Sequence, residues 1–543
     1  MDKFLRQLRR RDIYRAPTVY ALVALVGCLV IVLALAYQRT SGSSGTTIAQ
    51  QHVNAPAAQP AVTATSMVVL PFSNLSDATQ EFFSDGMTEE ITAALTKVQG
   101  LRVVGRVSAF HFKGQNQDLR VLGQALSANY LVRGSVFKAG DQVRVAVELI
   151  KPDDRIPVWT NDFDRQLADI FATQEEIAKA IASVLHLPVT LQQGEALVSN
   201  RTDDLDSYQQ YLRAKALVRS RSINQAIAIL EPAVERDPDY APAWALLAEA
   251  YAFVPGYEMG VSGGSIEASR RVVRYSLERA EMAARKAISL EPRLASGHTA
   301  LAQIESFRGD WAASEDNFRQ ALMIDPAAPN ALHLYGLMLL GSGRLRQALD
   351  IRNELRALEP VVPVYNVMTA LVVQMAGPTQ SSIAMLEAVP LDNAVGYYRN
   401  VYLATVHAST GRFAQAADTL LAIPEETQQV PRRSIEEAAR LLRRAPIKVR
   451  EPEALPTLEA ELNFVYGYVD AFARVLEAPE RNLDVGLANG TVNRSVWRPI
   501  YASLRNTERF KAYVRNAGLV AYWRERGWPD LCRPQGANDF VCN

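Results

Sequence analysis

The sequence predicts a multidomain chain with one transmembrane helix, a small mixed α/β domain and an all-α solenoid of paired helices. Three observations lead to this prediction. Residues 17–37 carry no charged side chain, residues 66–190 alternate short apolar runs with amphipathic segments, and small residues recur every 34 positions beyond residue 203. A chain of 543 residues is long enough for several domains of ordinary size.

The apolar run "PTVYALVALVGCLVIVLALAY", residues 17–37, predicts a single transmembrane helix. At about 1.5 Å per residue it is long enough to cross a hydrocarbon core of about 30 Å. Residues 1–16 form a basic tail that contains Lys3, Arg6, Arg9, Arg10, Arg11 and Arg15. Because Lys and Arg are retained on the cytoplasmic side, this asymmetry places the tail in the cytoplasm and the bulk of the chain in the bacterial periplasm, beyond the inner membrane.

A second interpretation of the same run stays open. The tetrapeptide "LVGC", which ends at Cys28, resembles the box at which bacterial lipoproteins are cleaved and acylated on the cysteine. Nine further apolar residues follow Cys28, whereas the apolar core of a cleaved signal is short. The length of the run favours the uncleaved helix, and both interpretations hold the protein on a membrane.

Residues 38–65 are rich in Ser, Thr, Gly, Ala, Gln and Pro, which is typical of a flexible linker. Cys532 and Cys542 lie in the part of the chain assigned to an oxidising compartment, which predicts a disulfide between them; two free thiols are the alternative. Three cysteines cannot form a tetrathiolate zinc site, and no two of the six His residues have metal-ligand spacing. We therefore expect no metal and no cofactor, and a net charge of zero gives no reason to expect nucleic acid.

Strand and helix patterns alternate from residue 66 to residue 190. "MVVLPF" predicts a buried strand, followed by a helix from Ser84 or Asp85 to about Val98. "NYLVRGSVFK" and "QVRVAVELIK" flank Gly140 and Asp141, a sequence typical of a β-hairpin. A strand at "IPVWTNDFD" and an amphipathic helix at "LADIFATQEEIAKAIASVL" complete a small mixed α/β domain.

This segment resembles the TolB-like amino-terminal domain of bacterial membrane and envelope proteins. The resemblance rests on "VLPFSNLS", "FFSDGMTEEI", "LRVVGRVSAFHFKG", "YLVRGSVFKAGDQVRV" and "VWTNDFDRQLADIFATQEEIA". It implies a binding or assembly module without an assigned reaction. Asp85, Glu89 and Glu90 lie in the expected first turn of a helix, where the helix dipole accounts for acidic residues, so we predict no catalytic residues.

A fixed period organises residues 203–430. Two sets of small residues repeat with a spacing of 34, namely Gly309, Gly343, Gly377, Gly411 and Ser314, Ala348, Ser382, Ala416. This period, with a proline after each second helix, is the signature of the tetratricopeptide repeat, a pair of antiparallel helices. We expect about six units, beginning near 207, 241, 295, 329, 363 and 397, with an insertion near 254–271 in the second.

The first helices of such arrays line a concave surface that binds an extended peptide or a partner helix. The positions expected to line this groove are Thr299, Gln303, Asn330, His333, Leu337, Leu371 and Tyr398. They include no basic clamp, so a peptide carboxylate is not specially favoured. Residues 431–543 are expected to form a helical cap over the open end of the array and a tail closed by Trp497, Phe510, Tyr522, Trp523 and Trp528.

Together these features predict a non-enzymatic, membrane-anchored periplasmic scaffold that binds a protein or peptide partner of the envelope. The alternative is a sensory or regulatory component that acts through a separate cytoplasmic partner. Proteins with a similar outer part often carry a winged-helix or cyclase domain before the membrane helix. About sixteen residues precede the predicted span, and we expect these to be too few for either domain.

Overall fold

The computed structural model describes residues 65–543, apart from residues 116, 155, 192–195, 200, 258–264, 377–378, 392–394, 460, 490 and 537–538. The predicted basic tail, the span at 17–37 and the linker up to residue 64 lie outside the described residues. None of the helices that are described has the length and apolar character needed to cross a bilayer.

The small mixed α/β domain is built on one sheet. Its elements are β1 (Thr65–Val69), β2 (Ser73–Asn74), α1 (Glu81–Thr96), β3 (Leu101–Val103), α2 (Arg106–Phe110), α3 (Leu119–Leu126), β4 (Tyr130–Ala139), β5 (Gln142–Ile150), β6 (Pro157–Gln166) and α4 (Ile170–Val184). The main strand order is β3-β1-β4-β5-β6, with β1 parallel to β3 and β4, and with antiparallel β4-β5 and β5-β6 pairs. Apolar side chains of α1 and α4 pack on one face, whereas those of α2 and α3 cover part of the other.

Six successive helix pairs follow the α/β domain. They are α5 (Leu205–Arg219) with α6 (Ile223–Arg236), α7 (Ala241–Tyr257) with α8 (Ile266–Leu290), α9 (Ala295–Arg308) with α10 (Trp311–Ile324), α11 (Pro329–Gly341) with α12 (Leu345–Leu358), α13 (Pro363–Ala376) with α14 (Thr379–Glu387), and α15 (Gly396–Ser409) with α16 (Phe413–Leu421). The helical solenoid and the small mixed sheet that the sequence predicts are thus both confirmed. The insertion lengthens both helices of the second unit, to 17 and 25 residues.

Each recurring residue has a local structural reason. Gly309, Gly343 and Gly411 follow the first helices with φ of 88°, 81° and 76°, the left-handed region that glycine adopts without steric cost. Gly377 lies outside the described residues. The small residue five positions later is fully buried in every unit that carries it, which allows the two helices to approach closely. Ser314 uses this proximity to donate to the carbonyl of Ala302 at 2.7 Å.

The C-terminal region corrects one prediction, because it does more than cap the open end of the array. Its elements are α17 (Arg432–Arg444), α18 (Phe472–Asp484), α19 (Ala502–Arg505), α20 (Glu508–Asn516), α21 (Leu519–Arg526), β7 (Cys532–Gln535) and β8 (Asp539–Cys542), with 3-10 helices at Leu462–Val469 and Thr491–Trp497. After α17 the chain runs back along the turns inside units three and four. The indole N–H groups of Trp497 and Trp523 donate to the carbonyls of Gly341 and Ser342 at 3.0 and 2.9 Å.

A buried carboxylate joins the same two units to the C-terminal region. Glu315 on α10 is fully buried and lies 2.9 Å from the guanidinium of Arg344. The hydroxyls of Tyr335 and Tyr522 donate to its two oxygens at 3.1 and 2.8 Å. The antiparallel hairpin of β7 and β8 ends the chain and places Cys532 opposite Cys542, which form a disulfide in the structure.

We predict that Gly343→Ala destabilises the protein more than Gly411→Ala. Both substitutions force a β-carbon into the left-handed region, at a cost of about 1–2 kcal/mol. At Gly343 the new atom would lie 2.7 Å from Cζ2 of the buried Trp497 and would add about 1–3 kcal/mol of overpacking, whereas at Gly411 nothing lies within 4 Å. Urea unfolding of the two variants measures the difference. Equal losses would contradict the close packing of the C-terminal region on this turn.

Candidate functional site

Asp85, Glu89 and Glu90 do not lie in the first turn of α1, which corrects the sequence-based interpretation. Helix α1 begins at Glu81, and its preceding residue Gln80 makes no side-chain capping hydrogen bond. Asp85, Glu89 and Glu90 therefore lie beyond the first turn, where all three are buried. The helix dipole acts mainly on the first turn and does not account for charges at these positions.

Cations from two parts of the chain surround Glu89. Its side chain is 2% exposed and lies 2.7 Å from the guanidinium of Arg106, on α2, and 2.9 Å from the ammonium of Lys215, on α5. Arg219, one turn after Lys215 on α5, pairs with Glu89 and lies 3.6 Å from Asp85. The network thus joins the α/β domain to the first helix of the array.

The same network extends outward from Glu89 in two directions. Lys113 lies 2.5 Å from Asp85 and 2.6 Å from Glu81, within the α/β domain. Lys215 also lies 3.4 Å from Glu90. Buried charges that are paired in this way are costly to separate, because each one left alone would be desolvated without compensation.

A second contact ties the α/β domain to the junction between the fourth and fifth units. Glu359, which the sequence marks only as the residue before a repeat proline, is fully buried. The backbone N–H groups of Val107 and Ser108, at the start of α2, donate to its two oxygens at 3.0 and 2.6 Å. The N–H of Gly105 donates to the carbonyl of Leu358 at 2.8 Å. Burial raises the pKa of Glu359, and the hydrogen bonds from Ser108 and Val107 oppose this shift in part.

Sequence reasoning missed Arg106, Lys215, Arg219 and Glu359. Lys215 and Arg219 are four residues apart, so they share one face of α5. This spacing is the only local signal, and it does not distinguish a buried interface from a solvated face.

The predicted groove residues divide into two groups. Thr299, Gln303, Leu337 and Leu371 are 4–6% exposed, so these four predicted groove positions offer almost no free surface to a partner. Asn330, His333 and Tyr398 remain partly exposed.

The C-terminal region of the chain lies against the end of α9, the first helix of the third unit. The N–H of Ala488 donates to the carbonyl of Phe307 at 2.6 Å, and the amide of Asn489 donates to the hydroxyl of Ser306 at 2.5 Å. Phe307 and Ser306 belong to the last turn of α9. Side chains near this segment are therefore shielded by the protein itself.

The first helices of two non-adjacent units also contact each other. Asn330 on α11 donates to the carboxylate of Glu249 on α7 at 3.3 Å, although a whole unit separates the two helices in the chain. Burial raises the pKa of Glu249, and the positive charges of Arg221, Arg106 and Lys215 oppose the shift.

The described residues contain no cluster of three or more His, Cys, Asp or Glu side chains suited to a metal ion. A shallow depression on α4 is lined by Ala172, Glu175, Glu176, Lys179 and Ala180. Its carboxylates are already engaged, since Glu175 pairs with Lys179 at 3.4 Å and with Arg201, and Glu176 pairs with Arg165 at 3.0 Å. This arrangement provides no evident general acid, base or nucleophile.

These observations define a class of protein, namely a helical-repeat protein of the tetratricopeptide type that carries a small mixed α/β domain. Residues 63–180 match the family model of the second domain of HilA/YgeH-like transcriptional regulators. This match covers the α/β domain and none of the array.

Two curated relatives share part of the chain. A protein named putative adenylate cyclase 3, from Rhizobium meliloti, is 34% identical over 186 residues, which cover 34% of this chain and 32% of that protein. The transcriptional regulator HilA of Salmonella typhimurium is 22% identical over 319 residues, which cover 57% of this chain and 53% of that protein. The chain thus spans about one third and about half of the lengths of these relatives.

Solved tetratricopeptide proteins also match the chain. A thermophilic protein of Thermus thermophilus covers 38% of this chain and 94% of its own length at 19% identity, with a TM-score of 0.27. A protein from Parabacteroides merdae covers 57% of this chain and 99% of its own length at 13% identity, with a TM-score of 0.31. The repeat architecture described here rests on the six helix pairs and their 34-residue period.

We predict that Glu89→Gln lowers the free energy of unfolding by about 3–5 kcal/mol, because it leaves three partly buried cations without their shared counter-ion. Glu148→Gln is the matched control. Its carboxylate pairs with Arg133 at 2.6 Å on the exposed face of the sheet, where such pairs contribute about 0–1 kcal/mol. Urea unfolding of both variants compares the two losses. If Glu89→Gln lowered the free energy of unfolding as little as Glu148→Gln, the network would not hold the α/β domain and the array together.

The raised pKa of Glu359 predicts a pH-dependent stability. A carboxyl group whose pKa is higher in the folded state stabilises that state fully below its unfolded pKa, and this contribution is lost as the pH rises through the folded pKa. Glu359→Gln lacks this titration and leaves one amide donor unpaired, at a cost of about 1–3 kcal/mol. The stability difference between wild type and variant should therefore shrink from pH 4.5 to pH 7.5.

Urea unfolding at several pH values measures this difference. Glu436→Gln is the control, because Glu436 is 59% exposed and its loss should give a small difference. A difference for Glu359→Gln that grows with pH would contradict the prediction.

Proposed function

We propose that this chain is a non-enzymatic protein-binding scaffold in which the α/β domain and the helical array act as one body. The observation that carries the proposal is the double attachment of the α/β domain, through Glu89 to the first unit and through Glu359 to the junction of the fourth and fifth units. Arrays of helix pairs present extended surfaces that suit protein partners. A body held at two distant points presents such a surface in one fixed shape.

The partner surface of this proposal differs from the groove that the sequence suggested. Four of the seven groove side chains are buried, so the partner would contact the side chains that stay partly exposed, Asn330, His333 and Tyr398. The partner class is a protein or peptide of the cell envelope.

The proposed location is the bacterial inner membrane, with a single span at residues 17–37, a cytoplasmic amino terminus and the folded unit in the periplasm. The charge-free run and the excess of Lys and Arg before it support this location. The pairing of Cys532 with Cys542 fits an oxidising compartment. Acylation at Cys28 is the less favoured form of anchoring. We also propose that the α/β domain is related to the TolB-like domains that its sequence resembles.

A second candidate is a sensory or regulatory component that acts through a separate cytoplasmic partner. The similarity of residues 63–180 to a domain of transcriptional regulators favours it, as does the partial similarity to a protein named as an adenylate cyclase. In this case the two-domain body would detect a binding event and transmit it.

Site-specific photo-crosslinking in intact cells tests the partner surface. We expect a benzophenone side chain at Tyr398, which is partly exposed, to give a covalent adduct with one partner protein. The same substitution at Tyr397 is the matched control, because this adjacent tyrosine is fully buried and should give no adduct. Mass spectrometry identifies the partner.

The identity of the adduct separates the two candidate functions. A stable periplasmic or envelope protein supports the scaffold, whereas a regulator that spans the membrane supports the sensor. Adducts at neither Tyr398 nor His333, or adducts with cytosolic proteins alone, would contradict the proposed surface and location.

A further inference from the structure

The last strand of the α/β domain leaves one edge of the sheet open. Strand β6 pairs with β5 on one side and ends the strand order β3-β1-β4-β5-β6. Most of its residues are exposed, and no other described strand pairs with its outer side. A free edge of this kind offers a row of backbone N–H and C=O groups to a further strand.

The register of the sheet decides which backbone groups of β6 point outward. The turn between β4 and β5 closes on the pair Ala139–Gln142, so the even-numbered residues of β5 hydrogen-bond to β4. The odd-numbered residues of β5 lie opposite odd-numbered residues of β6 and therefore bond to them. The N–H and C=O groups of Thr160, Asp162 and Asp164 consequently point away from the sheet.

These outward groups have almost no partners among the described residues. The guanidinium of Arg165 donates to the carbonyl of Asp164 at 3.1 Å. No other backbone N–H or C=O of Thr160, Asp162 or Asp164 makes a hydrogen bond outside the ladder with β5 within the described part of the chain. An added strand would therefore bond to this edge and displace no contact of the fold except that of Arg165.

The depression on α4 lies beside the same edge. Glu176, which contributes to its lining, pairs with Arg165 of β6 at 3.0 Å. Successive side chains of a strand point to opposite faces of a sheet, so every second side chain of an added strand would lie on the α4 side. Ala172 and Ala180 supply the apolar part of the lining there, which suits apolar side chains.

The opposite face of the edge is acidic. Asp164 pairs with Arg144 at 2.6 Å, whereas Asp162, opposite Ala146, makes no ion pair among the described residues. Two copies of the chain joined symmetrically through β6 would place Asp162 opposite its own copy or opposite Asp164. Like charges in such positions are destabilising, whereas a basic residue opposite Asp162 makes a favourable pair.

We propose that β6 is a docking edge for an extended, antiparallel segment of a partner protein. The segment has basic side chains opposite Asp162 and apolar side chains on the α4 side. In strand addition of this kind the backbone hydrogen bonds give affinity and the alternate side chains give specificity. The antiparallel orientation is chosen because antiparallel ladders are slightly more stable per residue.

This edge belongs to the α/β domain and goes beyond the partner surface proposed for the array. Failure of the docking edge would leave the crosslinking result at Tyr398 unaffected, and the reverse also holds.

Fluorescence anisotropy with a labelled peptide of alternating Lys and Val tests the edge on the purified full chain. In the antiparallel arrangement the N–H groups of the Lys residues point toward β6, and those of the Val residues point away. We expect the unmodified peptide and a peptide N-methylated at every Val to bind. A peptide N-methylated at every Lys, and a peptide with Glu in place of Lys, should not bind. Equal binding of the two methylated peptides would overturn the proposal.

Two substitutions place the peptide on β6. Thr160→Pro removes one outward N–H and no ladder bond, a change that edge strands tolerate, and should weaken binding by about fivefold or more. Thr160→Ala keeps the N–H and should bind like the wild type. Asp162→Asn should weaken binding of the basic peptide, whereas Asp350→Asn, at an exposed aspartate of α12, should not.

Thermal unfolding of each variant separates binding from folding. We expect Thr160→Pro and Asp162→Asn to unfold at midpoints close to that of the wild type. If Thr160→Pro unfolds earlier, Asp162→Asn and the methylated peptides decide, because they leave the backbone of the protein unchanged. Unchanged peptide binding by both variants would overturn the proposal. So would a wild type that binds no peptide and instead self-associates in sedimentation, because the edge would then receive a second copy.

Discussion

The side chain of Glu89 is 2% exposed, and three cations from two parts of the chain surround it. Each of these charges is tolerated at its position because the others are present. The α/β domain therefore cannot separate from α5 without exposing or isolating a carboxylate whose desolvation costs several kcal/mol. The rest of the described fold depends on this contact, because it sets the α/β domain against the start of the array.

The second attachment changes how the array itself behaves. In an ordinary array of helix pairs each unit contacts its neighbours alone, so small rotations between units accumulate into a flexible curve. Here the backbone amides of Val107 and Ser108 bind Glu359 at the junction of the fourth and fifth units, while α1 binds the first unit. The α/β domain thus spans the array from unit one to unit five and restricts its curvature between these points.

The C-terminal region restricts the array along a different edge. Trp497 and Trp523 bind backbone carbonyls at the turn of the fourth unit. The carboxylate of Glu315 binds Arg344 from that unit and Tyr522 from the C-terminal region. These contacts fill surface that an isolated array would offer to a partner. They also bring the 3-10 helix Thr491–Trp497 against α11, the first helix of the fourth unit.

The structural features that could be predicted from the sequence are those that depend on residues close together in the chain. The 34-residue period gave the six helix pairs, since a left-handed glycine, a small buried residue and a proline act within a few residues of their own positions. The sequence did not indicate that Asp85, Glu89 and Glu90 are buried and paired, or that Gln303 and Leu371 are buried. The cations that pair with the carboxylates, Lys215 and Arg219, come from a distant part of the chain, as do the elements that cover Gln303 and Leu371. No periodic pattern in the sequence predicts such contacts. Helix, turn and strand here follow from short-range sterics and apolar spacing, whereas only the tertiary structure decides which charges are neutralised and which face of a helix stays open.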